Sequence, residues 1–314
     1  MTDPHAWRRD PLIWVAIIAS LLLWASAFAG IRASLDSYGP GQVALLRFAT
    51  ASLLFLAWAL ITRMRMPRAA DLPRIALAGL SGITAYHVAL NFGQLTVTAG
   101  AASLIVSASP ILTALLSALF LGERLSASGW TGIAVSFAGV ALISLGEGGG
   151  IAFDPGAALV AVAAVATSVY LVVSKRPLRR YTALEFTSYA IWAGTVPLLI
   201  FAPDLLNQVR DASPSATAAV IYLGVFPGAV AYALWSYALA RMPASSLSTF
   251  LYFQPVSAIV IAWLWLAEVP APLALAGGAI SLAGVAVVNT RGMRAGLGRS
   301  RPAPDSPPEE ERHT

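Results

Sequence analysis

The stretch that decides the fold is AGAASLIVSASPILTALLSALFLGERLSASGWTGIAVSFAGVALIS, residues 99–144, because a divergent second copy of it occupies residues 244–289. A shift of 145 positions superimposes the two copies, and the same register extends backwards to place His87 on Tyr232. The other superimposed pairs are Gly79 and Gly224, Ala99 and Ala244, Ser103 and Ser248, Pro110 and Pro255, Glu123 and Glu268, Gly132 and Gly277, Ser136 and Ser281, and Gly139 and Gly284. Each copy holds two apolar segments joined by a short charged link, so each is predicted to be a helical hairpin from one half of a duplicated membrane protein.

The composition indicates that most of this chain is solvated by lipid. Of its 314 residues, 58% are apolar and 11% are charged, whereas an ordinary soluble domain has about 25% charged residues. The chain has no cysteine, which excludes disulfides, thiolate metal sites and thiol catalysis. Its net charge of +5 does not indicate a nucleic-acid partner, because the basic residues lie in loops between apolar segments. The expected partners are the lipid bilayer and a small-molecule substrate, with no nucleic acid.

Ten apolar segments are long enough to cross the hydrocarbon core, which takes about 20 residues. Strands are excluded as spanning elements, because the segments are too long and lack the alternation of a barrel. The predicted spans are 12–32, 41–62, 74–96, 99–121, 127–145, 155–174, 184–203, 216–240, 244–266 and 271–290. The sequence therefore predicts an all-α membrane protein in which ten transmembrane helices form two five-helix repeats, 12–145 and 155–290.

The positions of Lys and Arg predict how the spans are oriented. With the N-terminus inside, 17 of the 20 basic residues fall on the cytoplasmic side, Arg32 and Arg210 fall outside, and Arg47 lies within a span. Both termini are then cytoplasmic. Because each repeat has an odd number of spans, the second repeat enters the membrane from the opposite side, and the repeat is inverted. The tail 291–314 is rich in Arg, Pro and Glu and is predicted to be disordered and cytoplasmic.

A polar stripe in the third span is the first candidate for a binding site. Thr84, His87, Asn91, Gln94 and Thr98 recur at steps of three and four, so they share one helical face. A polar stripe within lipid must face protein or water. It either lines a substrate cavity, above all at His87 and Asn91, which lie deepest, or holds the bundle together through interhelical hydrogen bonds.

Polar and aromatic side chains in five other spans extend the candidate cavity. The prolines of the fourth and ninth spans each withhold an N–H, which frees the carbonyl of Val106 or Leu251 for another partner. These bends either line a central site or serve packing, and the aromatic residues are likewise candidates for the cavity or for packing and interface anchoring. The candidates are Trp24 in the first span, Ser107 and Pro110 in the fourth, Tyr170 in the sixth, Tyr232, Trp235 and Ser236 in the eighth, and Tyr252 and Pro255 in the ninth.

Arg47 is the only formally charged residue well inside a span, about 9 Å from the outer end of the second span. Its guanidinium either clamps a substrate carboxylate through two hydrogen bonds, or it snorkels outward or bonds to carbonyls at a helix end. The repeat places Trp192 at the equivalent position of the second half. A site around Arg47 is therefore not electrostatically symmetric.

Other residues of the duplicated stretch have structural interpretations. Glu123 and Glu268 follow the fourth and ninth spans and are expected to bond to the N-terminus of the following helix, where free N–H groups and the positive end of the helix dipole favour a carboxylate. Small residues in the fifth and tenth spans predict faces for close helix approach, to the same chain or to another. These residues are Gly132, Ser136 and Gly139, and Gly277, Ser281 and Gly284.

Motifs of common enzyme classes are missing from the sequence. It contains no HExxH, no Gly-rich nucleotide-binding loop and no intramembrane Asp pair, and of its three histidines His5 and His313 lie in the terminal segments. An intramembrane hydrolase is therefore disfavoured. We expect no enzymatic activity, no cofactor and no metal.

Taken together, the residues resemble those of the drug/metabolite transporter superfamily, specifically the EamA type with two five-helix repeats. The resemblance covers residues 12–290 and implies a basket of ten helices, with spans 1, 3, 4, 6, 8 and 9 around a central cavity and spans 5 and 10 at the periphery. Within the superfamily, the chain most resembles the YddG-type exporters of aromatic and other neutral amino acids. The motifs that carry the resemblance are Leu45-Leu46-Arg47-Phe48, the Pro110-centred span closing in Leu121-Gly122-Glu123-Arg124-Leu125, the stretch from Trp130 to Val140, and their echoes at Pro255, Ala267-Glu268 and Gly277 to Gly284.

The resemblance implies a secondary transporter of the bacterial inner membrane that exports amino acids by alternating access, its two inverted halves rocking about a midplane site. One alternative keeps the fold and changes the cargo to a drug, purine or sugar nucleotide, although a nucleotide sugar needs more than Arg47 to meet its phosphates. Another is a structural or sensory membrane protein that transports nothing. Every Asp and Glu lies in a tail, in a loop or near a helix end, so we expect uncoupled, facilitated export, the alternative being proton antiport through His87. The sequence does not decide the oligomeric state.

Overall fold

The computed structural model describes residues 10–121, 126–149, 153–242, 247 and 250–288. Within these residues all regular structure is helical, and ten long helices follow the predicted spans. They are α1 (Pro11–Leu35), α2 (Pro40–Thr62), α3 (Leu72–Gly79, Leu80–Ala85 and Tyr86–Gly93), α4 (Ala99–Val106 and Ser109–Leu121), α5 (Ala127–Glu147), α6 (Pro155–Ser174), α7 (Ala183–Leu198), α8 (Pro214–Val225, Phe226–Val230 and Ala231–Leu239), α9 (Phe250–Phe253 and Gln254–Leu266) and α10 (Pro272–Val287). The first eight are long and apolar enough to cross a membrane, and over the residues that the structure describes α9 and α10 are shorter apolar helices. The predicted fold class is thus confirmed, whereas the predictions for Glu123, Ser248 and the tail 291–314 lie outside the described residues.

Local sequence sets where several helices begin. The side chain of Asp154 accepts hydrogen bonds from the amides of Gly156 and Ala157 at the start of α6. Thr182 and Glu185 form a capping box at the start of α7. Such caps satisfy amides that have no partner within the helix, which matters most at a membrane, where an unsatisfied amide is costly.

The small-residue faces of α5 and α10 pack against each other, so the partner of each face belongs to the same chain. Two glycine pairs and one serine pair form the contact: Gly139 with Gly277, Gly132 with Gly284, and Ser136 with Ser281. The serine hydroxyls are 2.8 Å apart. Since Ser136 and Ser281 are equivalent positions of the repeat and the glycine pairs run antiparallel, a two-fold axis relates the two helices. The inversion of the repeats is therefore visible directly at this contact.

Helices of the two repeats interleave elsewhere in the bundle. Helix α1 of the first repeat packs against α8 and α9 of the second. Helix α6 of the second repeat packs against α3 and α4 of the first. The pairs α2 with α8 and α3 with α7 also join the repeats. The two repeats therefore interlock and do not form two separate helix bundles.

Two helices, α3 and α8, contain the same irregularity. Each has a stretch of wider π-helical turn, at Leu80–Ala85 in α3 and at Phe226–Val230 in α8, and these stretches superimpose on the shift of 145 positions. His87 and Tyr232 lie just beyond them. Turns of this kind occur often at functional sites because they re-aim the side chains that follow.

Charged side chains join the repeats at the end of the bundle predicted to face outside, which we call the outer end. The guanidinium of Arg32 lies 2.8 Å from Glu268, and the other oxygen of Glu268 accepts from the Ala99 amide at the start of α4. The expectation that Glu268 bonds to the start of α10 is wrong: there the amide of Ala271 donates to Glu147. The interleaved packing explains why Glu268 bonds to the start of α4 and not to that of α10, because it brings the end of α9 beside α1 and α4.

Candidate functional site

Arg47 is buried inside the bundle, and we call its surroundings the centre. Its side chain is 4% exposed, its Nη1 lies 3.5 Å from Nδ1 of His87, and its Cζ lies 5.3 Å from the centre of the Phe48 ring. Its Nε has no hydrogen-bond partner, and among the described residues the ion pairs are Arg32 with Glu268 and Arg180 with Asp71. Arg47 therefore neither snorkels to the surface nor meets a carboxylate in the part of the chain that the structure describes.

Aromatic rings enclose His87. The ring of Phe48 lies 4.4 Å away and that of Tyr86 lies 4.5 Å away in an edge-to-face arrangement, both measured between ring centres. A guanidinium has only donors, so the contact with Arg47 is a hydrogen bond only when Nδ1 of His87 is the acceptor. The neutral form of His87 therefore suits this position, because a second cation there would face Arg47.

An aromatic cluster from α1 and α8 lies beside this group of residues, and we call it the aromatic wall. The Trp24 ring lies 5.3 Å from Tyr232 and 5.1 Å from Trp235. Its Nε1 donates to the carbonyl of Pro227, 3.2 Å away, within the wide turn of α8. This hydrogen bond satisfies the indole and fixes the ring plane.

The aromatic wall and the residues around Arg47 belong to one site. Tyr232 packs against the buried cluster that contains Phe48, and Arg47 lies against the Phe48 ring. Tyr170 packs against a different buried cluster, which contains Ile75 and Phe186. The fold thus brings side chains from α1, α2, α3 and α8 together, with Arg47 beside several aromatic rings.

Asn91 and Gln94 follow His87 along α3 towards the outer end. The amide nitrogen of Asn91 donates to the Pro40 carbonyl at 3.0 Å, and that of Gln94 donates to the Phe28 carbonyl at 3.0 Å. Both side chains are buried, but the oxygens Oδ1 of Asn91 and Oε1 of Gln94 have no partner. In each amide the nitrogen therefore bonds to a neighbouring helix, and the oxygen is an acceptor without a partner.

Hydroxyl groups of the third and fourth spans bond to helix carbonyls or cap a helix. The Ser107 hydroxyl donates to the Ser103 carbonyl within α4. The carbonyl of Val106, which Pro110 frees, accepts from the Ser109 hydroxyl. In α3, the Thr84 hydroxyl donates to the carbonyl of Gly194, and Thr98 caps α4. These groups are satisfied without a ligand, so the bend at Pro110 offers no free Val106 carbonyl.

The remaining candidates are placed as follows. Tyr252 packs beside the buried cluster of Ile111, Ile133 and Val285, and is not among the residues in contact with Arg47 or His87. Pro255 is buried in α9, and Ser236 is half-buried in α8 one turn beyond Tyr232. In the part of the chain that the structure describes, no three His, Asp or Glu side chains come together as a metal site requires.

Sequence reasoning missed two members of the site, Phe48 and Tyr86. Both are aromatic residues beside a polar candidate, Phe48 next to Arg47 and Tyr86 next to His87. A search for aromatic neighbours of intramembrane polar residues finds both. The polar stripe did not include Tyr86 because that residue precedes His87 by one position and a regular helix points it elsewhere.

A separate apolar crevice lies between α4, α5 and α6. Its lining includes Ile105, Leu112 and Phe137. The hydroxyl in its lining, that of Ser136, is already bonded to Ser281. A charged metabolite finds no partner there, so the centre around Arg47 is the better candidate site.

These features define a polytopic membrane protein of inverted-repeat architecture with a polar and aromatic centre, which is the architecture of secondary transporters. The model of the EamA-like transporter family matches residues 12–145 and 154–290. The chain belongs to this family.

Two bacterial relatives match along nearly the whole chain. One, from Streptantibioticus cattleyicolor, is named a probable terminal-alkyne amino-acid exporter; it is 43% identical over 94% of this chain and 98% of its own length. The other, the uncharacterized transporter YdfC of Bacillus subtilis, is 39% identical over 88% of this chain and 91% of its own length. A solved crystal structure shares the fold with a TM-score of 0.60 and 23% identity, over 88% of this chain and 96% of that one.

Proposed function

We propose that this protein exports amino acids with neutral, apolar or aromatic side chains across the bacterial inner membrane, and that it does so without catalysing a reaction. The observation that carries the proposal is the burial of Arg47 with no carboxylate partner among the described residues. An unpaired buried cation costs several kcal/mol. A substrate that brings a carboxylate into the centre recovers part of that cost.

The surroundings of Arg47 select what the carboxylate is attached to. Phe48, Tyr86, Trp24 and Tyr232 offer ring faces and edges, which favour an apolar, unsaturated or aromatic substituent. One guanidinium matches one carboxylate, whereas a nucleotide sugar brings two phosphates. The name of the Streptantibioticus cattleyicolor relative, which refers to amino acids with a terminal alkyne, agrees with this preference.

The test is transport by the purified full chain in proteoliposomes. Vesicles loaded with unlabelled amino acid are offered a trace of radiolabelled phenylalanine or propargylglycine, a terminal-alkyne amino acid, and exchange is followed against empty liposomes. We expect saturable exchange that unlabelled neutral amino acids inhibit and that purines, sugar nucleotides and cationic drugs do not. Exchange of one of those compounds in place of amino acids replaces the cargo, and absence of all exchange favours a protein that transports nothing.

We also propose that both termini lie in the cytoplasm, on the support of the Lys and Arg distribution. Because the chain has no cysteine, one introduced cysteine is labelled uniquely. In intact cells a membrane-impermeant maleimide should label Phe153→Cys, which precedes α6, and should leave Arg179→Cys, which follows it, unlabelled. The reverse pattern contradicts this orientation.

A further inference from the structure

The site holds a second unsatisfied polar group whose chemistry is opposite to that of Arg47. Asn91 is 1% exposed, and its Oδ1 is a buried acceptor without a partner. The orientation of the amide is fixed, because only its nitrogen can donate to the Pro40 carbonyl 3.0 Å away. The oxygen therefore cannot satisfy itself by exchanging places with the nitrogen.

Asn91 and the contact between Arg47 and His87 lie about one helical turn apart. Asn91 lies four residues after His87 on the same face of α3, which is about 6 Å along the helix axis. Arg47 contacts His87 from α2. A carboxylate at Arg47 thus leaves an adjoining donor group within reach of Oδ1 of Asn91.

Gln94 also has an unpaired oxygen, but its position assigns it elsewhere. It lies three residues further towards the outer end, about 4.5 Å along the axis. Its side-chain nitrogen donates to Phe28, and its main-chain carbonyl accepts from Arg32, the partner of Glu268. Gln94 therefore belongs to the charged contact at the outer end, one step beyond the centre.

On the basis of the proposed function, we infer that Oδ1 of Asn91 accepts a hydrogen bond from the α-ammonium group of the substrate while Arg47 binds its carboxylate. The pair then recognises the zwitterion itself and leaves the side chain to the aromatic wall. An acylated amine, which keeps the carboxylate but loses the charge and two of three N–H donors, is a poor ligand. The protein should discriminate free amino acids from their N-acetyl derivatives.

The test compares exchange of phenylalanine with exchange of N-acetylphenylalanine in proteoliposomes that contain the full chain. The wild type should prefer the free amino acid by at least about tenfold, the size expected for a hydrogen bond to a charged group. In Asn91→Leu this ratio should fall towards one. Asn91→Asp, which keeps an acceptor and adds a charge, should keep or raise the ratio, and it provides the result if the leucine variant does not fold.

Gln94→Met is the matched control, because it removes an equally buried amide oxygen from the same helix face. It should leave the ratio at its wild-type value. A merely structural role of Asn91 lowers both fluxes together and leaves their ratio unchanged, and that result overturns the inference. Equal exchange of both compounds by the wild type overturns it as well, while the export of amino acids still stands. Lack of amino-acid exchange by the wild type overturns the proposed function.

Discussion

The contact between α5 and α10 and the centre around Arg47 differ in how much of the duplication they keep. At the α5–α10 contact, residues of the same type meet each other, and Ser136 bonds to its own counterpart Ser281. At the centre, the equivalent positions hold different chemistry: His87 faces Arg47, whereas Tyr232 joins the aromatic wall. The wide turns are kept in both halves, whereas the side chains that follow them at the centre differ.

This difference indicates that helix packing constrains the α5–α10 contact, whereas ligand binding constrains the centre. Close helix packing tolerates only small residues, so both copies keep them. A binding site for an asymmetric molecule needs two unlike ends, so identical copies serve it poorly. The cation from the first repeat and the aromatic ring from the second supply such ends.

The most damaging change should be the loss of the cation. Arg47→Gln removes a charged, two-pronged donor, and exchange at low substrate concentration should fall about 100-fold, which corresponds to about 3 kcal/mol. Arg47→Lys keeps the charge but not the fork and should lose about tenfold. Initial exchange rates of phenylalanine in proteoliposomes provide the measurement.

Two controls separate binding from folding in that experiment. Trp192→Phe changes the equivalent position of the second repeat, where the indole donates to the Ser52 carbonyl, and should leave exchange within about threefold of wild type. Thermal stability of Arg47→Gln in detergent should equal or exceed that of wild type, because an unpaired buried charge has been removed. A variant that unfolds early instead assigns Arg47 a structural role.

The symmetric contact should respond equally to changes in either half. A Cβ at Gly139 would lie 2.5 Å from the Gly277 carbonyl oxygen, and a Cβ at Gly277 would lie 2.6 Å from that of Gly139. Since both obstacles are backbone atoms, Gly139→Ala and Gly277→Ala should each destabilise the protein by about 1–3 kcal/mol. Thermal unfolding in detergent measures this.

Gly278→Ala is the control for that pair. Its Cβ would meet the δ-carbons of Leu104, a flexible side chain that can shift, so the loss should be smaller. Unequal effects of Gly139→Ala and Gly277→Ala would show that the contact is less symmetric than its residues. Such a result would weaken the contrast with the centre.

The sequence predicted the fold more completely than the site, for a physical reason. Apolar length and the repeat determine the spans, because lipid demands them. Arg47 and His87 were recognised because buried polar groups in lipid are rare. Other features depend on which helices become neighbours, and the sequence of a single helix does not determine that. These features are the wide turns in α3 and α8, the position of Tyr86 and the bond of Glu268 to α4.

A milder effect should follow from changes on the aromatic wall. Tyr232→Phe keeps the ring that contacts Trp24 and should stay close to wild type. Tyr232→His installs the residue of the first repeat and shrinks the aromatic surface, so the apparent affinity for phenylalanine should fall about five- to tenfold. Apparent affinity for alanine should change less, and equal losses for both amino acids would place Tyr232 outside the side-chain site.

The smallest effect should be that of a pH gradient, and it tests whether the polar half of the site also carries protons. The contact between His87 and Arg47 suits a neutral histidine, because protonation would place two cations side by side at the centre. In the described part of the chain, no Asp or Glu pairs with Arg47. We therefore expect that an imposed pH gradient, at zero membrane potential, drives no accumulation of phenylalanine in proteoliposomes of wild type. His87→Gln, which keeps an acceptor for Arg47, should exchange phenylalanine at a rate within a few-fold of wild type and should respond equally little to the gradient. Accumulation that depends on the gradient and disappears in His87→Gln would instead make His87 the proton carrier, and the divergence from Tyr232 would then serve energy coupling as well as recognition.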